Sequence, residues 1–540
     1  GAGVVKADVR HPRQAGLDLF RVLAQQRGVD SRLDAEHHLL AFALGLHRLR
    51  GELRDAGDVG HLGRDHEVGG RVEDDAHLGA HRHPPGRHLG QEEAHVHVGE
   101  VEHSQHLAAG RQHFTGLGCP VLDAATARRF IEQERDFSVS DLEEMIAEQY
   151  KIMRAIIPLH RQLQEGGQIE ILTTPFYHPI LPLLIDTDHA TLDRPGASYP
   201  HRFAYPEDAE SQVRLAAEDY RQRFGQPLRG MWPAEGAVSQ SALPLFVRHG
   251  VCWLATDRGV LARSGQWGYN ADDPNILCQP YRAEEGEHAI AVFFRDTALS
   301  DAIGFHYYGY TDYEQAACDF VGKIKSRFAW QFTGEEDRVL TVVLDGENAW
   351  GAYRDDARPF LHALYNLLER DGEIQTVTFA EYLAGSPTRD VAAHPLEAQN
   401  QVYELFTGSW IDENGSAPGV DLGTWIGEDE ENRGWELLGQ ARDFLVKTGA
   451  APDTAPAAFE TLYMAEGSDW FWWFGADQDS GNDEEFDDLF RLHLKNIYRG
   501  VGTQPPAELD RNIVQHSVLW TFTRPVPQVQ SRDRLTIRTN

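Results

Sequence analysis

Two carboxylic acids stand directly after strand-like segments and are the residues best suited to chemistry. Glu235 follows Leu228–Trp232, and Asp345 follows Val339–Leu344. Cleavage of a glycosidic bond needs two carboxyl groups on opposite sides of the anomeric carbon, one as nucleophile or base and one as acid. A single acid after a strand is more often a helix cap or a turn residue. Two acids at strand ends that converge on one edge of a parallel sheet favour a catalytic pair.

Two further strand-like segments also run into polar side chains. Ile169–Thr174 leads to His178, and Ala289–Phe294 leads to Arg295 and Asp296. Arg295 and Asp296 are expected to form an ion pair. The pair either supports the site or ties the rim of the sheet, and the sequence favours neither interpretation.

Aromatic side chains accompany these acids and could stack against sugar rings. Trp232 and Trp350 stand beside the two acids, and Asp469 precedes an aromatic run at Trp470–Phe474. A single tryptophan is more often part of a hydrophobic core, but three Trp and two Phe in succession are harder to explain by core packing alone. Glu347 is a candidate for holding the second acid or a substrate hydroxyl.

Strand-like and helical patterns alternate over much of the chain, which predicts parallel β/α units. Ser140 and the acids after it predict a helix to about Leu163, and a second helix is expected from Pro206 to Gly225. Helical patterns dominate toward the end of the chain, at Arg433–Val446 and Glu484–Tyr498. In such folds the chemistry lies at the carboxyl ends of the strands.

Five stretches between about residues 140 and 500 resemble glycoside hydrolase family 57. The similarity is greatest to its α-amylase/amylopullulanase-like branch, and the stretches occur in the family's order. They are Gly167–Leu184, Gly230–Gln240, Phe293–Gly304, Val343–Tyr353 and Gly467–Phe474.

The resemblance implies an α/β fold, with an incomplete (β/α)7 barrel followed by an α-helical bundle. Residues 119–386 would form the barrel, and residues 387–540 a mostly helical domain that completes the cleft. The family acts on α-glucans with retention of configuration. By resemblance, Glu235 is the nucleophile, Asp345 the general acid/base, and His178 lines the donor sugar site.

A retaining mechanism adds physical requirements to that assignment. The two carboxyl groups should lie about 5–5.5 Å apart, and Asp345 should be protonated when the glycosidic oxygen leaves. No cofactor and no metal are expected. The expected substrate-binding residues are His178, Trp232, Arg295, Asp296, Glu347, Trp350, Asp469 and Trp470.

Residues 1–118 differ from the rest of the chain. They contain no Ile, Asn, Met, Trp or Tyr, yet hold 15 of the 26 His. Translation of GC-rich DNA in a wrong frame would give this composition. Disorder, or metal binding by His pairs such as His81 and His83, are alternatives.

The chain also departs from the family at its start. The family's first strand carries a His-Gln-Pro motif, which occurs nowhere here. A barrel without its first strands exposes sheet edges and loses part of its sugar-binding floor. Three alternatives to a hydrolase therefore stay open: a 4-α-glucanotransferase or branching-type transglycosylase on the same site, an impaired carbohydrate-binding remnant, and a metal-dependent enzyme.

The net charge of −34 disfavours binding to nucleic acid or to anionic membranes. An α-glucan or maltooligosaccharide is the expected partner, and the oligomeric state is open. The four cysteines lack the paired spacing of a zinc site, and the first residues lack the pattern of an export signal. A cytoplasmic location is expected.

Overall fold

The computed structural model describes residues 129–515, except residues 131–132, 134, 136, 193, 327–336, 412–419 and 477. The chain divides into two compact units, Gly1–Arg154 and Ala155–Asn540. Residues 1–118 lie outside the described residues, so the interpretations of that segment stay predictions. The domain boundaries after residues 118 and 386 also stay predictions.

Helices are the most frequent elements of the described chain. They are α1 Val139–Glu165, α2 Leu181–Ile185, α3 Pro206–Phe224, α4 Leu243–Arg248, α5 Arg258–Arg263, α6 Pro274–Leu277, α7 Thr297–Asp301, α8 Tyr313–Ile324, α9 Gly346–Ala352, α10 Arg358–Arg370, α11 Phe379–Ala384, α12 Asp429–Thr448, α13 Pro456–Ala465, α14 Ser468–Phe474 and α15 Asp483–Gly500. Short 3-10 turns connect several of them, and a π-helical turn spans Ala302–His306.

One mixed sheet lies among these helices. Its strands are β1 Gly230–Met231, β2 Trp253–Asp257, β3 Tyr281–Glu285, β4 His288–Arg295 and β5 Asn400–Gln401. Their order in the sheet is β1-β2-β4-β3-β5. The β1–β2 and β2–β4 pairs are parallel, and β3 runs antiparallel to β4.

Two isolated bridges extend the parallel part of the sheet on both sides. Thr173 pairs in parallel with Met231 of β1, and Thr341 pairs in parallel with Arg295 of β4. Five chain segments therefore run side by side in one direction and in chain order, with the antiparallel β3 inserted in the chain between β2 and β4. Their carboxyl ends meet at one edge, as the sequence predicted.

The strands sit in a hydrophobic core that includes residues of the helices. Leu254 and Val292 are fully buried within the sheet, and Phe246 of α4 belongs to the same cluster. In the parallel β1–β2 pair, Gly230 lies opposite Trp253. A Cβ at position 230 would lie 1.9 Å from the Trp253 ring, so only glycine fits.

The helix ends follow the local chemistry of the sequence. α3 begins with Pro206, carries Glu207 and Asp208 in its first turn, and ends at Gly225 with φ 72°. The proline needs no hydrogen-bond partner for its nitrogen, the acids favour the positive end of the helix dipole, and glycine accepts the left-handed conformation. This helix is confirmed, and so are the helices predicted at Arg433–Val446 and Glu484–Tyr498.

The strand predictions are confirmed only in part. Ile169–Thr174 and Val339–Leu344 were expected as strands, but each contributes one bridge to the sheet. The antiparallel strand Tyr281–Glu285 was not predicted, because its charged residues Arg282, Glu284 and Glu285 interrupt any continuous apolar run. No described helix is both long and apolar enough to cross a membrane.

The contact between Gly230 and Trp253 gives a stability prediction. Gly230→Ala should lower the free energy of unfolding by about 1–3 kcal/mol, because the added methyl overpacks the sheet. The control is Gly322→Ala in α8, where an added Cβ meets nothing within 4 Å. That change should be neutral or stabilising by up to about 1 kcal/mol. Urea unfolding of both variants checks this, and equal effects would contradict the packing explanation.

Candidate active site

The side chains expected to do chemistry gather at the carboxyl edge of the parallel strands. Glu235 follows β1, and Arg295 ends β4. His178 follows the Thr173 bridge, and Asp345 follows the Thr341 bridge. Asp257, at the end of β2, lies at the same edge although the sequence analysis did not select it.

Glu235 has an unusual backbone conformation. It lies in a 3-10 turn, Ala234–Gly236, with φ 55° and ψ 25°. A non-glycine residue in this left-handed region costs about 1–3 kcal/mol and persists only where its surroundings hold it. Gly236, with φ 62°, follows in the same turn, and a Cβ there would lie 2.8 Å from the Trp232 ring. The turn therefore presents Glu235 in one fixed direction.

Trp410 holds Glu235 through two hydrogen bonds. The Trp410 backbone N–H donates to the Glu235 carbonyl at 3.0 Å, and the indole Nε1–H donates to the Glu235 Oε2 at 2.7 Å. The segment around Trp410 is fixed by an antiparallel bridge between Val238 and Gly408. The Trp410 ring also meets the Trp232 ring at 4.9 Å between centroids. One residue therefore fixes both the backbone and the carboxylate of Glu235.

His178 lies next to Glu235, and its backbone is left-handed too, with φ 58°. Its Nε2 is 3.8 Å from the Glu235 Oε1, and the two side chains are 32% and 20% exposed. The His178 Nδ1 lies 2.8 Å from the Ser468 Oγ, and the Ser468 N–H donates to the His178 carbonyl at 3.0 Å. The start of α14 therefore supports the histidine that faces Glu235.

Arg295 is buried and pairs with acids other than the predicted one. Its Nε donates to Asp257 at 2.6 Å, and its Nη1 donates to Asp301 at 3.2 Å. The guanidinium also lies 4.7 Å from the centre of the Trp410 ring. The predicted Arg295–Asp296 pair is replaced by these contacts, because successive residues at a strand end point to opposite sides. Burial raises the pKa of Asp301, and the positive charge of Arg295 opposes that rise.

Asp296 is fully buried and helps to end β4. Its Oδ1 accepts the Leu299 N–H at 2.8 Å and so caps α7. Its backbone N–H donates to the Thr341 carbonyl at 2.8 Å, which joins β4 to the next parallel segment. These contacts fit a support role, and sugar binding by Asp296 stays a prediction.

Asp345 is half-buried and immediately precedes α9, in an extended conformation with φ −62° and ψ 134°. Asp345 is the N-cap residue of α9, but its side chain makes no capping hydrogen bond to the helix, which is the commonest alternative use of an acid at this position. The Glu347 side chain lies outside the described residues, so its role stays a prediction.

The predicted aromatic contacts have different surroundings. Trp232 and Trp350 are half-buried near the carboxyl edge. Trp470 packs against Phe490 at 5.9 Å between centroids, and its indole N–H donates to the Met464 carbonyl at 2.8 Å. Asp469 is exposed in the first turn of α14. Substrate contacts by these four residues stay predictions.

Three residues of this region were not selected as site candidates from the sequence. Asp257 stands directly after a strand, so the rule that selected Glu235 would have found it. Trp410 and Ser468 lie 175 and 290 residues beyond the side chains they hold. Within the described residues, no group of three or more His, Cys, Asp or Glu could hold a metal ion.

The family model described as Glycosyl hydrolase family 57 matches residues 110–396. That match spans more than half of the chain. The chain belongs to glycosyl hydrolase family 57. The family suggested by the five sequence stretches is therefore confirmed.

Individual relatives are more distant than the family match. An α-amylase of Pyrococcus furiosus is 25% identical over 252 residues, which are 46% of this chain and 33% of the relative. The chain thus matches about a third of that relative's length. A GH57-type branching enzyme from Pyrococcus horikoshii superposes with a TM-score of 0.50 at 18% identity, covering 75% of this chain and 80% of the other. At that identity the superposition shows a shared α/β fold alone.

The buried contact between Arg295 and Asp257 gives a prediction for this family member. Asp257→Ala should lower the free energy of unfolding by about 3 kcal/mol, since it leaves a buried guanidinium with fewer partners. The control is Asp272→Ala. Asp272 pairs with Arg258 at 2.5 Å but is 77% exposed, so about 0–1 kcal/mol is expected. Urea unfolding measures both free energies. Similar losses in the two variants would contradict the claim that the buried pair stabilises the fold more than the exposed pair does.

Proposed function

We propose that this chain cleaves α-glucans with retention of configuration, with Glu235 as nucleophile and Asp345 as general acid/base. The observation that carries the proposal is the clamped, left-handed Glu235 beside His178, in a chain of glycosyl hydrolase family 57. Strained backbone persists where the surrounding structure holds it, and such residues cluster at catalytic sites.

The proposed reaction has two steps. In the first, a Glu235 carboxylate oxygen attacks the anomeric carbon while the bond to the glycosidic oxygen breaks. Asp345 gives its proton to that departing oxygen, and a covalent glycosyl-enzyme results. In the second step Asp345 removes a proton from water, the water oxygen bonds to the anomeric carbon, and the Glu235 carboxylate leaves.

The surroundings of Glu235 suit the first step. Two N–H donors of Trp410 hold the carboxylate and the backbone of Glu235 in place. Because the nucleophile is already positioned, less conformational entropy is lost on reaching the transition state. The His178 Nε2 lies 3.8 Å from the other carboxylate oxygen of Glu235, Oε1. The proposal requires Asp345 to approach Glu235 within about 5–5.5 Å across the sugar.

The family resemblance leads us to propose the barrel and helical-bundle architecture as well. The parallel segments in chain order support a β/α barrel, and helices α12–α15 support a helical domain after it. The start of α14 contacts His178, which supports a cleft completed by that helical part.

Azide rescue tests the two roles separately. An aryl α-maltoside, which has a good leaving group, is the substrate. Glu235→Ala should lose at least about 10⁴-fold in kcat, and azide should restore turnover with β-glycosyl azide as product. Asp345→Ala should lose roughly 10²–10⁴-fold in kcat on a maltooligosaccharide, whose leaving group is poor, and on the aryl α-maltoside azide should raise turnover and give the α-glycosyl azide.

The products identify which role each residue plays, because azide replaces the nucleophile in one variant and the incoming water in the other. Rescue of Glu235→Ala with an α-azide product would contradict the assignment. The control is Glu436→Ala; the Glu436 Oε1 accepts the His201 backbone N–H and lies 2.6 Å from the His201 Nδ1. Its turnover should stay within about twofold and should not respond to azide, because these contacts are to His201 and not to a residue of the site.

Wild-type products distinguish hydrolysis from transfer on the same site. Hydrolysis of maltooligosaccharides gives shorter chains, whereas attack by a second sugar hydroxyl gives longer or branched chains. Predominantly longer products would replace the hydrolase assignment with a transferase. Binding of glucan without any cleavage would contradict both.

A further inference from the structure

Gln212, in the middle of α3, anchors the turn that carries His178. It is fully buried. Its backbone carbonyl accepts the Phe176 N–H at 3.2 Å, and its side-chain Oε1 accepts the Tyr177 N–H at 3.1 Å. The two residues before His178 are therefore fixed by one glutamine.

The other end of the Gln212 amide reaches the helical segment before α14. Its Nε2 donates to the Tyr463 carbonyl at 3.0 Å and to the Glu466 Oε2 at 2.9 Å. Because the Oε1 is used by the Tyr177 N–H, these contacts fix the orientation of the amide. Gln212 thus joins the His178 turn to Glu466.

Close packing continues from Glu466 to His178. Gly467 approaches the turn so closely that a Cβ there would lie 2.7 Å from the Tyr177 carbonyl oxygen. Ser468 then makes both contacts to His178, through its backbone N–H and its hydroxyl. The histidine is held from two sides by one continuous set of contacts.

We propose that Gln212 and Glu466 form a positioning unit that holds His178 against Glu235, and that Glu466 acts in this unit as a neutral, proton-bearing carboxyl. The inference rests on the proposed function, because it describes how the same site is kept in order. Neither residue touches the reacting atoms, so both are positioning residues.

The charges around Glu466 support its neutral state. Glu466 and Asp208 are each 1% exposed, and their carboxyl groups interact directly. Asp208 is engaged by Arg442, whose Nε donates to it at 2.5 Å. One buried cation therefore balances one of the two buried acids. The Glu466 Oε1 is buried and has no hydrogen-bond partner among the described groups, and such an unpaired oxygen costs less free energy on a neutral carboxyl than on a charged one.

Burial and the negative charge of Asp208 raise the pKa of Glu466 well above its ordinary value, while Arg442 and Gln212 oppose the rise. Charged and titratable groups from each packed element surround the pair. They are Glu207 of α3, Arg442 of α12, Tyr463 of α13, which itself interacts with Arg214, and Tyr205.

The raised pKa of Glu466 makes the folded state less stable as pH rises. Because the folded pKa of Glu466 exceeds the unfolded one, its contribution is fully present below the unfolded pKa and is lost as pH rises through the folded pKa. A glutamine at position 466 has nearly the shape of a neutral glutamic acid and likewise offers one acceptor oxygen and one donor group, but it cannot ionise. Glu466→Gln should therefore fold normally and lack this part of the pH dependence.

The test compares wild type, Glu466→Gln and Gln212→Ala, with Glu460→Gln as control. Glu460 is an exposed acid on the same helix as Tyr463. The readouts are the melting temperature and the kcat and KM on an aryl α-maltoside, each from about pH 5 to 9. The imidazole signals of ¹³C-labelled histidine, with His178 assigned by its own substitution, report the position of His178 independently of activity.

We expect the melting temperature of wild type and of Glu460→Gln to fall as pH rises, and that of Glu466→Gln to fall less. Glu466→Gln should keep kcat within about threefold at the acidic end, since it reproduces the neutral carboxyl. Gln212→Ala should lose roughly 10- to 100-fold in kcat with a smaller change in KM, and should shift the His178 signal.

Each claim is contradicted by a different result. If Glu466→Gln and wild type share one melting profile over pH, Glu466 is not a neutral carboxyl. If Gln212→Ala keeps the control's kcat and His178 signal, Gln212 does not position His178. If wild type cleaves no α-glucan, the proposed function fails, while the melting profiles and the His178 signal still decide the present inference.

Discussion

The pair of hydrogen bonds from Trp410 to Glu235 is the constraint on which the rest of the site depends. A glutamate in the left-handed region is unfavourable by itself, and it stays there because one residue binds both its carbonyl and its carboxylate. The Arg295 guanidinium lies over the ring of that tryptophan, and its own position is set by Asp257. The sheet edge, the buried ion pair and the clamp therefore act as one support.

His178, which lies near the other carboxylate oxygen of Glu235, is held in a similar way. Its backbone is also left-handed, and Ser468 holds both its carbonyl and its ring. Both strained residues are thus held by segments far along the chain, after the parallel strands. The segments that follow the parallel strands, around Trp410 and at the start of α14, thus keep Glu235 and His178 in conformations that neither would adopt alone.

The sequence predicted the parts of this arrangement that follow from local rules. The pattern of β/α units and the polar residues after strands placed Glu235, His178 and Arg295 at one edge, and the caps of α3 were readable directly. The contacts of Trp410 and Ser468 were not readable, because they join residues separated by more than a hundred positions. The partner of Arg295 was missed because alternation along the strand turns Asp296 away.

The central claim is that Glu235 becomes covalently bound to the sugar. A 5-fluoro-α-glycosyl fluoride slows both steps but forms the intermediate quickly enough to accumulate it, so the trapped enzyme can be digested and its peptides weighed. We predict one labelled peptide, with the sugar on Glu235, and none from Glu235→Gln. A label on another carboxylate, or none on an enzyme that turns over α-glucans, would contradict this account.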